Sequence, residues 1–201
     1  YKRVNDSIMA PIMGQVAHNM HPQRPESDLS NLLSDIMVWA AKDYNEQPVL
    51  GIYNMGGIGA DLIKGNVTYE DILSIAPFEN KISFTTLSGE SLMKLFQQIA
   101  HKGGEGVSKG TELVITKDGK LVSARLHGKE IGPQGEYRVT TIHYLLEGND
   151  GLTAFTEGKD NVAPQDASNN SGYLIMNYFK DKQSRGEVVD AQIEGRIKVK
   201  E

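Results

Sequence analysis

The sequence contains no cysteine, which excludes disulfides, zinc–thiolate sites and cysteine nucleophiles. It also lacks a long apolar run. The longest covers residues 36–41, far short of the roughly 20 residues that a transmembrane helix needs, so no transmembrane segment is predicted. A strong charge of one sign is absent too, because 21 basic and 26 acidic residues give a net charge of −5. This balance disfavours duplex nucleic acid or anionic lipid as the main partner.

What the sequence does contain is typical of one globular domain. Its 201 residues, 39% of them hydrophobic and 23% charged, suffice to bury a core. Helical spacing of apolar residues predicts helices starting at Ser27 or Asp28 and at Thr68, and helices over 90–100 and 170–179. Strands are predicted over 10–20, 49–53, 81–87, 113–116, 121–126, 137–142 and 191–199, with a hairpin turn at Asp118-Gly119. Since strands and helices do not alternate regularly, the predicted fold class is α+β, with a mixed β-sheet and packed helices.

Motifs of catalysis are missing from the chain. There is no G-x-S-x-G, no H-E-x-x-H and no calcium-loop pattern. The glycine-rich segment 103–110 lacks the glycine before the lysine and the Ser/Thr after it that a phosphate loop requires. His18 and His21 form an H-x-x-H pair without a third ligand nearby. We therefore predict no catalytic residue and no metal ligand in this chain.

Three segments remain as candidates for a binding site. Residues 54–59, Asn-Met-Gly-Gly-Ile-Gly, follow a predicted buried strand, where glycines allow close approach of a ligand but also suit a tight turn. Residues 77–80 place Phe78 at a helix end, and residues 144–151 place Tyr144 six positions before Asp150. Two aromatic rings on separate loops can clamp a planar base, although each ring taken alone is equally compatible with a core position.

Taken in order, these segments resemble the C-terminal domain of the 5′-nucleotidase family. The resemblance rests on Arg24, on Glu26-Ser-Asp-Leu-Ser-Asn31-Leu32, and on the three segments just described, together with Leu87-Ser-Gly89. It extends over roughly residues 6–199. It implies a 5′-nucleotidase C-terminal-domain-like fold for residues 10–201, preceded by residues 1–9 as the end of an interdomain linker helix.

The resemblance also implies a role for particular residues in binding a nucleoside or nucleotide. Phe78 and Tyr144 would stack on the base, and Asp150 would bond the ribose hydroxyls. The remaining candidates are Asn54 and Asn80 at the base or sugar, Arg24 at the phosphate, and Gly57 as a further substrate-binding residue.

The sequence departs from the family pattern at three positions, one of which bears on phosphate recognition. Gly59 stands where the family has arginine, which removes a fork-shaped phosphate donor. Met55 and Asn149 stand where glycine is usual. Lys64 and Lys81 are candidates to replace the missing positive charge.

The family's catalytic half is absent from this sequence. In the family, hydrolysis depends on a divalent metal pair in a separate metallophosphatase domain with D-x-H and G-N-H-E motifs, neither of which occurs here. The first hypothesis is therefore the substrate-binding half of a split nucleotidase, acting in nucleotide catabolism with a metallophosphatase partner chain or domain. The second is a non-catalytic nucleoside or planar-ligand binding module, and the third a structural domain with a decayed pocket. The resemblance further implies export to the bacterial periplasm or cell surface.

Overall fold

A computed structural model describes residues 11–201 of the chain. The predicted end of a linker helix, residues 1–9, lies outside the described residues, as does residue 10. The strands are β1 Ile12–Val16, β2 Leu50–Tyr53, β3 Gly65–Thr68, β4 Ile82–Ser88, β5 Gly106–Val107, β6 Thr111–Thr116, β7 Leu121–Leu126, β8 Lys129–Glu130, β9 Glu136–Ile142, β10 Lys159–Val162 and β11 Ile197–Lys200. The α-helices are α1 Asp28–Ala40, α2 Tyr69–Ile75, α3 Gly89–His101, α4 His143–Leu146 and α5 Ser171–Ser184.

Helices α1 and α2 begin where the sequence predicted them to begin, at capping residues. Ser27 caps α1, because its hydroxyl accepts a hydrogen bond at 3.0 Å from the backbone N–H three residues later. Thr68 caps α2 in the same way, and the Asp71 carboxylate accepts a bond of 2.8 Å from the Thr68 N–H. Each such cap stabilises a helix by about 1 kcal/mol. The predicted turn at residues 118–119 joins β6 to β7, so the hairpin prediction is confirmed as well.

The strands form three sheets, and the α+β prediction is confirmed. A five-stranded mixed sheet has the order β10-β4-β9-β2-β5, a four-stranded sheet the order β11-β6-β7-β8, and β1 pairs with β3. Helices α1 and α3 bury their apolar faces in one continuous core. The fully buried apolar residues on α3 are Leu92, Leu95, Phe96, Ile99 and Ala100, which recur at helical spacing.

The last part of the chain differs from the prediction. Helix α5 continues five residues past Phe179, and β11 is shorter than the predicted strand 191–199. In the residues just before β11, backbone N–H groups donate hydrogen bonds to a side chain and not to a neighbouring strand. The buried Glu26 carboxylate accepts from the N–H groups of Glu194 at 2.9 Å and Gly195 at 3.1 Å. Strand propensity does not reveal that a side chain, and not a neighbouring strand, accepts these backbone hydrogen bonds. The predicted start of the last strand at residue 191 is therefore wrong.

This junction is held by four side chains, Glu26, Asn31, Asp35 and Arg196, which we call the anchor cluster. Asn31 donates to Glu26 at 2.7 Å and to the backbone carbonyl of Gln192 at 3.0 Å. Arg196 forms a bidentate ion pair with Asp35, in which Nη1 donates to Oδ1 at 3.0 Å and Nη2 to Oδ2 at 2.8 Å. The motif residues Glu26 and Asn31 therefore fasten the C-terminal segment to α1.

The large sheet brings three loops to one of its edges. Strands β2 and β9 are parallel, with Leu50 opposite Val139, so their carboxyl ends emerge side by side. Strand β4 runs antiparallel to β9, and Ile82 pairs with Ile142, so the beginning of β4 lies at the same edge. The segments that follow β2, precede β4 and follow β9 are those that contain the candidate residues.

Candidate functional site

Six of the seven candidate residues line one cavity of about 290 Å³. They are Asn54, Gly57, Phe78, Asn80, Tyr144 and Asp150, and Gly56 completes the lining. The volume is near the lower end of the range for small-molecule sites, about 300–1,000 Å³. The structure thus brings together residues that are up to 96 positions apart in the chain, such as Asn54 and Asp150.

The two aromatic side chains of the cavity are exposed, in contrast to the core position that each allowed when taken alone. Phe78 is 55% exposed and Tyr144 is 43% exposed. Tyr144 lies on the single turn α4, whose neighbouring residues Leu145 and Leu146 are buried and hold it outward. Neither ring stacks on another aromatic ring of residues 11–201. Exposed rings that line one concave surface are typical of a binding site.

The segment after β2 forms a 3-10 turn over Met55–Gly57 and presents Asn54 at its start. Asn54 is only 3% exposed, and its Nδ2 donates to Asp150 Oδ2 at 2.9 Å. Its Oδ1 is buried without a hydrogen-bond partner in the described chain. A Cβ at Gly57 would lie 2.6 Å from that Oδ1, so any larger residue there would displace the Asn54 amide. A buried amide oxygen without a partner is costly unless a ligand or water bonds it.

Asp150 is held from two sides. Lys102 Nζ donates to its Oδ1 at 2.6 Å and to its backbone carbonyl at 3.0 Å, while Asn54 bonds the other carboxylate oxygen. Partial burial acts to raise the pKa of Asp150, but the bonds from Lys102 and Asn54 outweigh it and lower that pKa below its ordinary value. The carboxyl group is therefore ionised at neutral pH and acts only as an acceptor.

Arg24, the seventh candidate, lies beside this cavity rather than in it. It lines an adjoining cavity of about 300 Å³ with Gln23 and Met55, and the two cavities share Gly56 and Asp150. Its guanidinium is already engaged. Nε donates to the Gly104 carbonyl at 2.9 Å, and Nη2 donates to Glu105 Oε1 at 2.6 Å.

Glu105, the carboxylate that pairs with Arg24, is only 1% exposed. Burial raises its pKa above the ordinary value, and the nearby Arg24 guanidinium counteracts part of that rise. Its Oε2 has no hydrogen-bond partner among residues 11–201. Together with Arg24, Asn54, Lys102 and Asp150, this residue forms what we call the pocket cluster.

Sequence reasoning missed Lys102 and Glu105. They flank the glycine pair 103–104, and the segment 103–110 was considered only as a phosphate loop. The glycines end α3, with φ of 85° and 117°, and the Gly104 N–H bonds back to the Ile99 carbonyl at 3.0 Å. A lysine at the C-terminal end of a predicted helix, followed by two glycines, was the available signal, but it did not indicate which carboxylate the lysine would meet.

The structure accounts for the glycine at position 59. A Cβ there would lie 2.6 Å from the Ser74 carbonyl oxygen and 2.8 Å from Pro77 Cγ. The present packing therefore has no room for the arginine of the family pattern. Of the two lysines suggested as replacements, Lys64 borders neither cavity, and Lys81 lines a smaller neighbouring one.

The histidine pair has a structural role in this chain. His18 Nε2 lies 3.0 Å from Asp190 Oδ1 and 2.9 Å from the Ala191 carbonyl, and His21 bonds Gln23. Within residues 11–201 no three His, Asp or Glu side chains gather closely enough to ligate a metal ion. The donor set of the described chain thus does not fit a dinuclear metal centre. None of the helices described there has the length and apolar character to cross a membrane.

Comparison with known proteins gives the same family as the sequence motifs. The family model described as "5′-nucleotidase, C-terminal domain" matches residues 11–157. The chain is 28% identical over 193 residues to the trifunctional nucleotide phosphoesterase protein YfkN of Bacillus subtilis, covering 89% of this chain and 13% of that protein. It is 31% identical over 172 residues to an apyrase of Tabanus yao, covering 75% of this chain and 29% of the apyrase.

Among solved structures, a 5′-nucleotidase precursor from Thermus thermophilus superposes with a TM-score of 0.83 at 23% identity. The match covers 99% of this chain and 41% of that one, and it shows the shared fold. The chain spans less than a third of the length of the two curated relatives.

Proposed function

The chain belongs to the 5′-nucleotidase C-terminal domain family, and on that premise we propose that its cavity binds the nucleoside part of a nucleotide. The observation that carries the proposal is the pairing of two exposed aromatic side chains, Phe78 and Tyr144, with the ionised Asp150 around one cavity. A nucleoside offers the complementary chemistry. Its base has two apolar faces, and its sugar has hydroxyl donors.

The aromatic pair would supply most of the affinity. Stacking of a base on an aromatic side chain contributes about 1–3 kcal/mol, and it depends little on which base is bound. The amides of Asn54 and Asn80 line the same cavity and can bond base or sugar edges. Asp150 would accept hydrogen bonds from the ribose hydroxyls.

We further propose that the chain supplies the substrate-binding half of a nucleotidase in nucleotide catabolism. Hydrolysis would require a metallophosphatase partner, as a separate chain or another domain, since the described residues do not fit a dinuclear metal centre. The greater length of the curated relatives supports a second domain in the functional protein. Export to the periplasm or cell surface belongs to the same proposal.

The experiment that tests nucleoside binding is calorimetric titration of the chain with adenosine, AMP, UMP and UDP-glucose. Wild type is compared with Phe78→Ala and Tyr144→Ala, and with Tyr173→Ala as a matched control. Tyr173 is 37% exposed but lines neither cavity. We expect saturable binding that each of the first two substitutions weakens by about 1–3 kcal/mol and the third leaves unchanged. Absence of binding to wild type at millimolar ligand would refute the proposal.

A second candidate function is a binding module that does not recognise phosphate. The packing around Gly59 favours it, as does the engagement of Arg24 by Glu105. Under this alternative adenosine binds as tightly as AMP, and addition of a matching metallophosphatase chain yields no AMP hydrolysis. Under the first proposal the mixture of the two chains hydrolyses AMP, whereas neither chain does so alone.

A further inference from the structure

The lysine that contacts Asp150 lies at the well-packed C-terminal end of a helix. Lys102 is the C-terminal cap residue of α3, and its own N–H bonds the Gln98 carbonyl at 3.2 Å. The chain then turns through Gly103 and Gly104, and a Cβ at Gly104 would lie 2.2 Å from the Pro25 carbonyl oxygen. The helix end is thus packed directly against the loop before α1. A cation at this position also interacts favourably with the helix dipole.

Asp150, in contrast, lies in a left-handed turn. It adopts φ 61°, between Gly148 at 87° and Gly151 at 76°. Aspartate adopts this conformation more readily than most residues other than glycine, so the turn itself does not fix the carboxylate, and its contacts do. The Lys102 ammonium bonds both the backbone carbonyl and the carboxylate of Asp150, so it holds the main chain and the side chain at once.

The hydrogen bonds of Asp150 leave a defined capacity for a ligand. An ionised carboxylate has about four lone-pair positions, two on each oxygen. Lys102 takes one on Oδ1, and Asn54 takes one on Oδ2. One acceptor position therefore remains on each oxygen, and the residue lines the cavity. Two remaining acceptor positions, one on each carboxylate oxygen, match in number the two hydroxyls of a vicinal diol.

We propose that Lys102 is a positioning residue that sets the sugar specificity of the cavity, holding Asp150 so that both carboxylate oxygens face a vicinal diol. The inference rests on the nucleoside-binding function proposed above. Lys102 itself lines neither cavity and contacts the ligand only through Asp150. Without Lys102 the carboxylate would keep only the bond from Asn54 and would be free to turn. The site should then lose its preference for ribose over 2′-deoxyribose more than its ability to stack a base.

The test compares the affinities of adenosine and 2′-deoxyadenosine by calorimetry, for wild type and three variants. Lys102→Met removes the ammonium but keeps an unbranched side chain, and Lys102→Arg restores a charged donor. Lys94→Met is the matched control. Lys94 lies on the same helix as the residues before Lys102, and it pairs with Glu157 away from the cavity. A hydrogen bond to a charged group corresponds to a preference of about tenfold or more for adenosine in wild type.

We expect the preference to fall below about twofold in Lys102→Met, to return largely in Lys102→Arg, and to persist in Lys94→Met. A merely structural role of Lys102 would lower the melting temperature but leave the ratio of the two affinities intact, and that result would overturn the inference. Equal binding of both ligands by wild type would overturn it too, leaving base binding established. If wild type bound neither ligand, the proposed function would fail and the inference with it.

Discussion

The anchor cluster and the pocket cluster are both made of buried or half-buried polar side chains, yet they differ in how fully their hydrogen bonds are satisfied. In the anchor cluster the Glu26 carboxylate accepts from Asn31 and from three backbone N–H groups. In the pocket cluster two buried oxygens, Asn54 Oδ1 and Glu105 Oε2, have no partner among residues 11–201. The two clusters begin only two residues apart, at Arg24 and Glu26.

This difference in hydrogen bonding distinguishes a cluster that stabilises the fold from a cluster that belongs to the candidate binding site. A satisfied buried network rigidifies the structure, and loss of one member leaves several polar groups without partners. An unsatisfied group is tolerated where a ligand or water completes it. Substitutions in the two clusters and in the cavity, with one at the surface for contrast, test this difference.

The largest effect is expected for Glu26→Ala. It removes the acceptor for three backbone N–H groups and for the Asn31 amide. The bonds from Asn31 and Ile197 are buried, and those from Glu194 and Gly195 are partly buried. Each buried donor without a partner costs about 1–3 kcal/mol, so the free energy of unfolding should fall by about 2–6 kcal/mol. Urea unfolding measures it, with Glu26→Gln as the milder variant. A loss under about 1 kcal/mol would show that the C-terminal segment does not depend on the anchor cluster.

Next in size is the effect of Phe78→Ala on binding. Removal of a stacked ring should weaken adenosine binding by about 1–3 kcal/mol. The free energy of unfolding should change by less than about 0.5 kcal/mol, because the ring is already more than half exposed. Titration and urea unfolding of the same preparation separate the two quantities. A variant that is destabilised but binds normally would identify Phe78 as a packing residue.

A smaller effect is expected for the pH dependence of stability in Glu105→Gln. Because burial raises the native pKa of Glu105, the native state keeps its proton to higher pH than the unfolded chain does. Stability contributed by that proton is present below the unfolded pKa and is lost as pH rises through the native one. The variant cannot titrate, so its free energy of unfolding should decline less over that window. Urea unfolding at several pH values measures this, and an identical pH profile for both proteins would contradict it.

The smallest effect is expected for Lys94→Met. Its ion pair with Glu157 lies at the surface, where such pairs contribute about 0–1 kcal/mol and are screened by salt. Thermal unfolding at low and high salt should show a change near zero. A loss comparable with that of Glu26→Ala would mean that burial does not explain the contrast between the clusters and the surface.

Local sequence signals predicted most of the secondary structure. Ser27 and Thr68 cap helices as expected, and residues 118–119 form the hairpin turn, since each signal acts within a few residues. The error in the strand at 191–199 has the opposite cause. There the backbone bonds to Glu26, about 170 positions away, and no local pattern contains that information.

For the candidate site, the chemical groups that are available can be read from the sequence: two aromatic residues on loops, an aspartate in a glycine turn, and no set of metal ligands. Which of these groups come into contact depends on the tertiary fold. The parallel pairing of β2 with β9 and the antiparallel pairing of β4 with β9 place three loops at one sheet edge. The bond from Lys102 to Asp150 and the bond from Arg24 to Glu105 join residues 48 and 81 positions apart. Such contacts follow from sheet register and helix packing, which are properties of the whole core.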